Sequence, residues 1–132
     1  MRLVLDASAA VEIALNRGSA AALAALLDES EEILAPDLLV PEVVNAIWKE
    51  HQLGGLGLII CEEALAVFLD FVDTLVSSRE LYREALALSR AQRSRAAYDM
   101  FYVALAQRED AVLLTLDGTL KKEAKRAGIR VA

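Results

Sequence analysis

The sequence predicts an α/β protein of three layers, in which a central parallel sheet is flanked by helices. Short runs rich in Val, Ile and Leu, typical of buried strands, alternate along the chain with longer segments whose apolar residues repeat every three or four positions, typical of amphipathic helices. Strands that alternate with helices favour a parallel sheet covered on both faces. Because no linker, internal repeat or low-complexity segment interrupts the pattern, residues 1–132 are predicted to form a single domain.

The first half of the chain is predicted to contain two strands and three helices. They are a strand over Arg2–Leu5, a helix from Ser8 to about Leu15, a helix over Ser19–Leu27, a strand over residues 32–35, and a helix that closes at Gly54 and Gly55. Ser8 is placed to cap the first helix through its hydroxyl. Pro36 and Pro41 indicate the start of the third helix, because proline is tolerated only in the first turn.

The second half is predicted to be mainly helical. It contains helices over Glu62–Leu75, Arg79–Arg93 and Ala96–Arg108, a strand over Ala111–Leu116, a short basic helix, and a final strand in the segment GIRV. The helix over Ala96–Arg108 is apolar on nearly all sides, which predicts a central position in the fold.

Charge and composition limit the classes of function. The net charge of −6 counts weakly against nucleic-acid binding, because the whole molecule repels a polyanion at long range. Two basic clusters could reverse the field locally, or could be solvated helix faces: Arg90, Arg93 and Arg95, and Lys121, Lys122, Lys125 and Arg126.

The sequence gives no indication of a membrane segment. No uncharged run, Gln52–Cys61 included, is long enough to span a bilayer, and the apolar N-terminal stretch is interrupted by Asp6, which argues against a signal peptide. Cys61 is the single cysteine, so an intramolecular disulfide is excluded and a cytoplasmic location is expected.

Four acidic residues stand in apolar surroundings. Asp6 and Asp117 end predicted strands, Glu42 lies in LLVPEVVNAIW, and Asp99 is the single charged residue in AAYDMFYVALA. An ionised carboxylate in such a setting costs several kcal/mol unless it is paired. Taken singly, each acid has an ordinary explanation as a helix cap or a first-turn acid. Taken together, and with strand ends meeting at one edge of a parallel sheet, they indicate a common site.

A hard divalent cation would compensate several carboxylates at once. Mg²⁺ and Mn²⁺ prefer oxygen ligands, whereas zinc prefers nitrogen and sulfur. His51 is the single histidine and Cys61 the single cysteine, with no ligand pattern around either, so zinc is disfavoured. The composition therefore favours Mg²⁺ or Mn²⁺ at the acidic residues.

Four stretches, LVLDASA, PEVVNAIW, AAYDMFYVALA and LLTLDGTL, in this order and at these separations resemble the PIN-domain family, specifically the VapC-type toxin ribonucleases. The resemblance covers essentially the whole chain and implies a PIN-like fold. It implies an acidic site that binds Mg²⁺ or Mn²⁺ and cleaves RNA, formed by Asp6, Glu42, Asp99 and Asp117.

The resemblance also implies a protein partner, a cognate antitoxin that lays a segment over an apolar groove and places a basic residue near the acids. It further implies that the protein forms a homodimer. The apolar runs AAVEIAL and LLVPEVVNAIW could supply the groove or belong to the core.

Three further residues match polar positions of the family and are expected to support the acids: Ser8, Asn45 and Thr115. Each could instead serve only as a local cap or hydrogen-bonding residue. The chain departs from the family pattern at Ala96, where Ser or Thr often caps the helix, and at Met100, which is bulkier than usual. These departures affect the local geometry around Asp99 rather than the set of acids.

The resemblance and the carboxylates together predict a metal-dependent endoribonuclease. Two other enzyme classes fit less well. A haloacid-dehalogenase-like phosphatase requires a second Asp two residues after Asp6, where Ser8 stands, and a phosphoreceiver domain requires an acid pair near the first strand. The alternative from another class is a non-catalytic PIN-fold module that binds RNA or protein.

Overall fold

The computed structural model of the protein describes residues 1–132 and has a four-stranded parallel sheet at its centre. The strands are β1 (Arg2–Leu5), β2 (Glu32–Pro36), β3 (Thr74–Val76) and β4 (Val112–Leu114). They lie in the order β3-β2-β1-β4, so the first strand of the chain is internal and is paired on both sides. The predicted class, a parallel sheet flanked by helices, is confirmed.

Seven helices surround the sheet. They are α1 (Ala7–Ala14), α2 (Ala20–Asp28), α3 (Leu39–Gly54), α4 (Leu58–Phe68), α5 (Tyr82–Gln92), α6 (Asp99–Glu109) and α7 (Gly118–Arg126). The predicted end of α3 is confirmed: Gly54 is its last residue, and Gly55 follows with a φ of +71°, a conformation that side chains other than glycine adopt at a cost.

The predicted helix over Glu62–Leu75 is wrong at its C-terminal end. The helix ends at Phe68, and a 3₁₀ turn over Leu69–Phe71 leads into the edge strand β3. Both the backbone and the side chain of Asp73 hydrogen-bond to the backbone of Ile33 in β2, each at 2.8 Å. Strand pairing with a distant segment therefore overrides the helical spacing of the local apolar residues.

Two predicted helix starts also need correction. Asp6, rather than Ser8, caps α1, because its Oδ1 accepts from the backbone N–H of Ala9 at 3.1 Å. The helix predicted to start at Ala96 starts at Asp99, and residues 97–98 form the turn before it. Asp99 therefore lies in the first turn of α6 rather than in the middle of a helix.

The end of the chain is less regular than predicted. The segment GIRV forms a single parallel bridge, between Val131 and Leu113 of β4, rather than a full strand. The strand predicted over Ala111–Leu116 is limited to Val112–Leu114. The shorter strand leaves Thr115, Leu116 and Asp117 free to turn across the sheet edge.

One apolar core joins the sheet to its helices. A cluster of 31 buried residues includes side chains from all four strands and from all seven helices. Helix α6 contributes six of them, among them Tyr102, which confirms its predicted central position. No helix is both long enough and apolar enough to cross a bilayer.

Candidate active site

The carboxyl ends of β1 and β4 open into a cleft of about 340 Å³ that is lined by all four predicted acids, Asp6, Glu42, Asp99 and Asp117. Leu5 of β1 pairs with Leu114 of β4, so the residues that follow each strand emerge side by side. Glu42 and Asp99 are brought to the same place by the first turns of α3 and α6. Ligand sites at this edge are the rule in open parallel sheets.

Asp6 is held by a network of hydrogen bonds that uses both of its carboxylate oxygens. Oδ1 accepts from the Ser8 hydroxyl at 2.7 Å and from the backbone N–H of Ala9 at 3.1 Å, and Oδ2 accepts from the Thr115 hydroxyl at 2.6 Å. Burial raises the pKa of Asp6, with a further contribution from the charge of Asp117, while these hydrogen bonds oppose the increase. The hydrogen bonds therefore fix the orientation of the Asp6 carboxylate, while burial disfavours its ionised form.

Ser8 and Thr115 connect the two strand ends. The Ser8 oxygen accepts from the backbone N–H of Leu116 at 2.9 Å, and the Thr115 oxygen accepts from the backbone N–H of Asp117 at 3.0 Å. Both hydroxyls thus join Asp6 to the segment that carries Asp117. Their predicted place beside the acids agrees with this geometry.

Asp117 is both a helix cap and a member of the cleft. Its Oδ1 accepts from the backbone N–H groups of Thr119 and Leu120, at 2.9 and 3.1 Å, and starts α7. Its Oδ2 makes no hydrogen bond within the protein. The two explanations that the sequence leaves open for Asp117, a cap and a site residue, are therefore compatible.

Glu42 contacts a residue that the sequence analysis did not select. The hydroxyl of Tyr102, a side chain that is 1% exposed, donates to Oε1 of Glu42 at 2.7 Å. Burial raises the pKa of Glu42, and the charges of Asp99 and Asp6 raise it further. The hydrogen bond from Tyr102 acts in the opposite direction and lowers it. Burial also raises the pKa of Tyr102, so that its hydroxyl remains a donor.

The pKa of Asp99 is raised well above its ordinary value. Burial, followed by the charges of Asp117, Glu123 and Asp6, raises its pKa to about 6, and the positive charge of Arg95 opposes this increase only in part. The side chain of Asp99 makes no hydrogen bond within the protein. Strongly perturbed acids in a cleft are typical of functional sites.

None of the four acids forms an ion pair. The seven salt bridges of the chain all lie elsewhere, and Arg17, the one basic residue that lines the cleft, is held by both carboxylate oxygens of Glu50 at 3.1 and 2.7 Å. No salt bridge therefore neutralises the acids of the cleft, and Arg95 offsets the charge on Asp99 only in part.

The donor set fits a hard divalent cation. The four carboxylates offer only oxygen ligands, and Oε2 of Glu42 and Oδ2 of Asp117 make no hydrogen bond within the protein. No three acidic, histidine or cysteine side chains are grouped closely enough to hold an ion directly in this arrangement. Mg²⁺ retains several water ligands, so part of the contact would pass through water or require side-chain rotation.

Two further residues are Asn45, which was expected to support the acids, and Glu123, which the sequence did not single out. Asn45 is exposed on α3, in a depression that Glu42 and Tyr98 also line, and it is not among the residues that line the acidic cleft. Glu123 is 5% exposed, its Oε2 has no hydrogen-bond partner, and its charge acts on Asp99. The sequence did not predict the burial of Glu123, because this residue lies among other charged residues in a basic helix.

Comparison with known proteins gives the family. The model of the PIN domain matches residues 3–125. Over 125 residues, 93% of this chain and 95% of the other, the sequence is 30% identical to Ribonuclease VapC3 of Pyrobaculum aerophilum. The chain therefore belongs to the PIN-domain family, and within it is similar to the VapC proteins.

Solved structures show the same fold. The crystal structure of PAE2754 from Pyrobaculum aerophilum superimposes with a TM-score of 0.77 at 23% identity, over 99% of this chain and 89% of that one. The crystal structure of VapBC2 from Rickettsia felis, bound to a DNA fragment from its promoter, superimposes with a TM-score of 0.70 at 19% identity, over 100% and 98% of the two chains. The PIN-like architecture expected from the sequence is confirmed.

Proposed function

We propose that this protein is a Mg²⁺- or Mn²⁺-dependent endoribonuclease and the toxin of a type II toxin–antitoxin pair. The observation that carries the proposal is one cleft lined by four acids, none of which forms an ion pair: Asp6, Glu42, Asp99 and Asp117. The similarity to a protein named as a ribonuclease supports the type of reaction.

Asp6, Asp99 and Asp117 would hold the cation directly or through water, and Glu42 would hold the cation or orient the attacking water. When bound, the cation lowers the pKa of water and stabilises charge on the phosphate. Ser8 and Thr115 keep Asp6 in one orientation and fix the segment that carries Asp117. Burial, with a further contribution from neighbouring carboxylates, raises the pKa values of Asp6, Glu42 and Asp99, and a bound cation would favour their ionised forms.

RNA is the proposed substrate despite the net charge of −6. The seven residues of the two basic clusters form no ion pairs, and Arg95 lies close enough to act on the charge of Asp99. Guanidinium and ammonium groups that form no ion pair are suited to the phosphate backbone of RNA, and Arg95 is the one shown to act on an acid of the cleft. With the cation absent, the acids would repel RNA, so binding as well as cleavage should require metal.

The test is incubation of the purified protein, free of antitoxin, with a mixed RNA pool in Mn²⁺, Mg²⁺ or EDTA. We expect cleavage that needs metal and is lost in Asp99→Asn. Asp110→Asn is the matched control, since Asp110 is an exposed residue at the opposite end of α6. If the protein binds RNA in the presence of metal but cleaves neither the mixed pool nor RNA from the native host, the non-catalytic module would be favoured instead.

A cognate antitoxin is the proposed protein partner. A groove between α3 and α4 is lined by one acidic residue, Glu62, and six hydrophobic residues: Val44, Ile47, Trp48, Leu58, Cys61 and Leu65. Trp48 is 49% exposed, whereas most of the stretch AAVEIAL lies in the core or beside it. Of the two apolar runs that the sequence offers, the one around Trp48 therefore supplies the groove. The VapBC2 structure is itself a complex of this kind by name.

We expect Trp48→Ala to weaken the affinity for the antitoxin at least tenfold, because exposed tryptophans often dominate binding energy. Leu53→Ala is the control, since Leu53 is 85% exposed and does not line the groove. Equal affinity of the wild type and Trp48→Ala in calorimetric titration would place the antitoxin elsewhere. The expectations that the protein forms a homodimer and lies in the cytoplasm remain predictions.

A further inference from the structure

Tyr102 combines an apolar role with a polar contact inside the cleft. Its ring belongs to the buried core, and its hydroxyl reaches the cleft, where it donates to Oε1 of Glu42 at 2.7 Å. The phenol of a tyrosine is protonated at neutral pH and remains a hydrogen-bond donor throughout the working range of most enzymes. Glu42 has no other hydrogen-bond partner for its side chain.

The position of Tyr102 follows from helix geometry. Tyr102 lies three residues after Asp99 on α6, so the two side chains share one face of the helix, one turn apart. Asp99 and Glu42 repel each other across the cleft. The hydroxyl of Tyr102, on the same helix as Asp99, thus holds Glu42 in the cleft although Asp99 repels it.

We propose that Tyr102 is a positioning residue, which binds Oε1 of Glu42 so that Oε2 faces the cleft and is available to the cation or its water. The proposal rests on the proposed function. A carboxylate that is held in one rotamer loses less conformational freedom when a ligand binds, so removal of the hydroxyl should weaken cation binding. The ring supplies the rigidity, because it is buried among the side chains of the core.

The experiment is a double-mutant cycle on Mn²⁺ affinity, measured by calorimetry or electron paramagnetic resonance in the absence of RNA. The proteins are the wild type, Tyr102→Phe, Glu42→Gln and the double variant. We expect Tyr102→Phe to weaken Mn²⁺ binding about 5- to 30-fold in the wild-type background and less than 2-fold when Glu42 is replaced, as for two residues that act as one unit.

Tyr82→Phe is the matched control. Tyr82 is half-exposed on α5, and its hydroxyl contacts Arg83 away from the cleft, so the same loss of an oxygen should leave Mn²⁺ affinity unchanged. Urea denaturation in EDTA provides a second readout that needs no metal: the same cycle should show coupling between Tyr102 and Glu42. With RNA, Tyr102→Phe should raise the Mn²⁺ concentration needed for half-maximal rate.

Two results would overturn the proposal by itself: normal Mn²⁺ affinity in Tyr102→Phe, or an equal loss with and without Glu42, which would indicate a general structural effect. Failure of the wild type to bind Mn²⁺ would overturn the proposed function and the positioning role with it. The wild-type measurement therefore separates failure of the proposed function from failure of this inference.

Discussion

The hydroxyl of Thr115 donates a hydrogen bond of 2.6 Å to Oδ2 of Asp6, a residue 109 positions earlier in the chain. The same hydroxyl oxygen accepts from the backbone N–H of Asp117 at 3.0 Å. Thr115 is fully buried, so water cannot readily replace either contact. One hydroxyl therefore fixes the orientation of one strand-end acid and the backbone of the other.

Replacement of Thr115 by valine keeps the shape of the side chain and removes this hydroxyl. Because Oδ2 of buried Asp6 loses its donor, we expect the free energy of unfolding to fall by about 1–3 kcal/mol and Mn²⁺ affinity to fall several-fold. Thr74→Val is the control, since Thr74 is exposed and donates to Glu32 at 3.2 Å. Urea denaturation and calorimetry check both effects, and equal stability of the two valine variants would contradict the role of Thr115.

Substitution of Asp117 can separate its two roles. Asn retains an oxygen that can cap α7 and loses the charge, whereas Ala loses both. We expect Asp117→Asn to abolish RNA cleavage with little change in stability, and Asp117→Ala to lower the free energy of unfolding by about 0.5–2 kcal/mol as well. Thermal denaturation beside a cleavage assay distinguishes the two variants, and full activity in Asp117→Asn would exclude a need for the charge.

The acidic cleft should make the metal-free protein less stable as pH rises. The pKa of Asp99 is about 6 in the fold and lower in the unfolded chain, so the folded state binds more protons between these values and loses stability as pH rises to about 6. We expect the free energy of unfolding in EDTA to fall by roughly 1 kcal/mol from pH 5 to pH 7, a value limited by solvent screening.

Urea denaturation at the two pH values checks this dependence. The pKa values of Asp6 and Glu42 are raised as well, so the Asp99→Asn variant should reduce the slope rather than reverse it. Saturating Mn²⁺ should remove the loss at pH 7, because the cation binds the ionised acids. Greater stability at pH 7 than at pH 5 without metal would contradict the prediction.

Glu123 should lower the stability of the protein. Its buried Oε2 lacks a partner, and an apolar side chain of similar size would avoid the cost of burying a carboxylate. We expect Glu123→Met to raise the free energy of unfolding by about 1–3 kcal/mol and to lower the pKa of Asp99, because the charge of Glu123 is one cause of its increase.

Glu84→Met, at an exposed position of α5, is the control for this substitution and should change stability little. Urea denaturation measures the free energies of unfolding, and carboxyl ¹³C chemical shifts followed against pH measure the acidity of Asp99. A loss of stability in Glu123→Met would show that the carboxylate has a partner in solution.

The sequence by itself determined the fold class, the end of α3 and the four acids that line the cleft. These features depend on local signals: apolar runs for strands, a glycine after the last helical residue, and charges whose burial would be costly. Asp6 and Asp117 could be selected because residues that follow parallel strands emerge at the same edge of the sheet.

Only the tertiary structure decided the short edge strand β3, the burial of Glu123 and the contact between Tyr102 and Glu42. Strand β3 forms because it pairs with β2, and its three residues carry too little periodicity to be distinguished from the preceding helix. Tyr102 and Glu42 are 60 positions apart and belong to different helices. Contacts of this kind depend on how elements pack together, and the local pattern of a sequence does not contain that information.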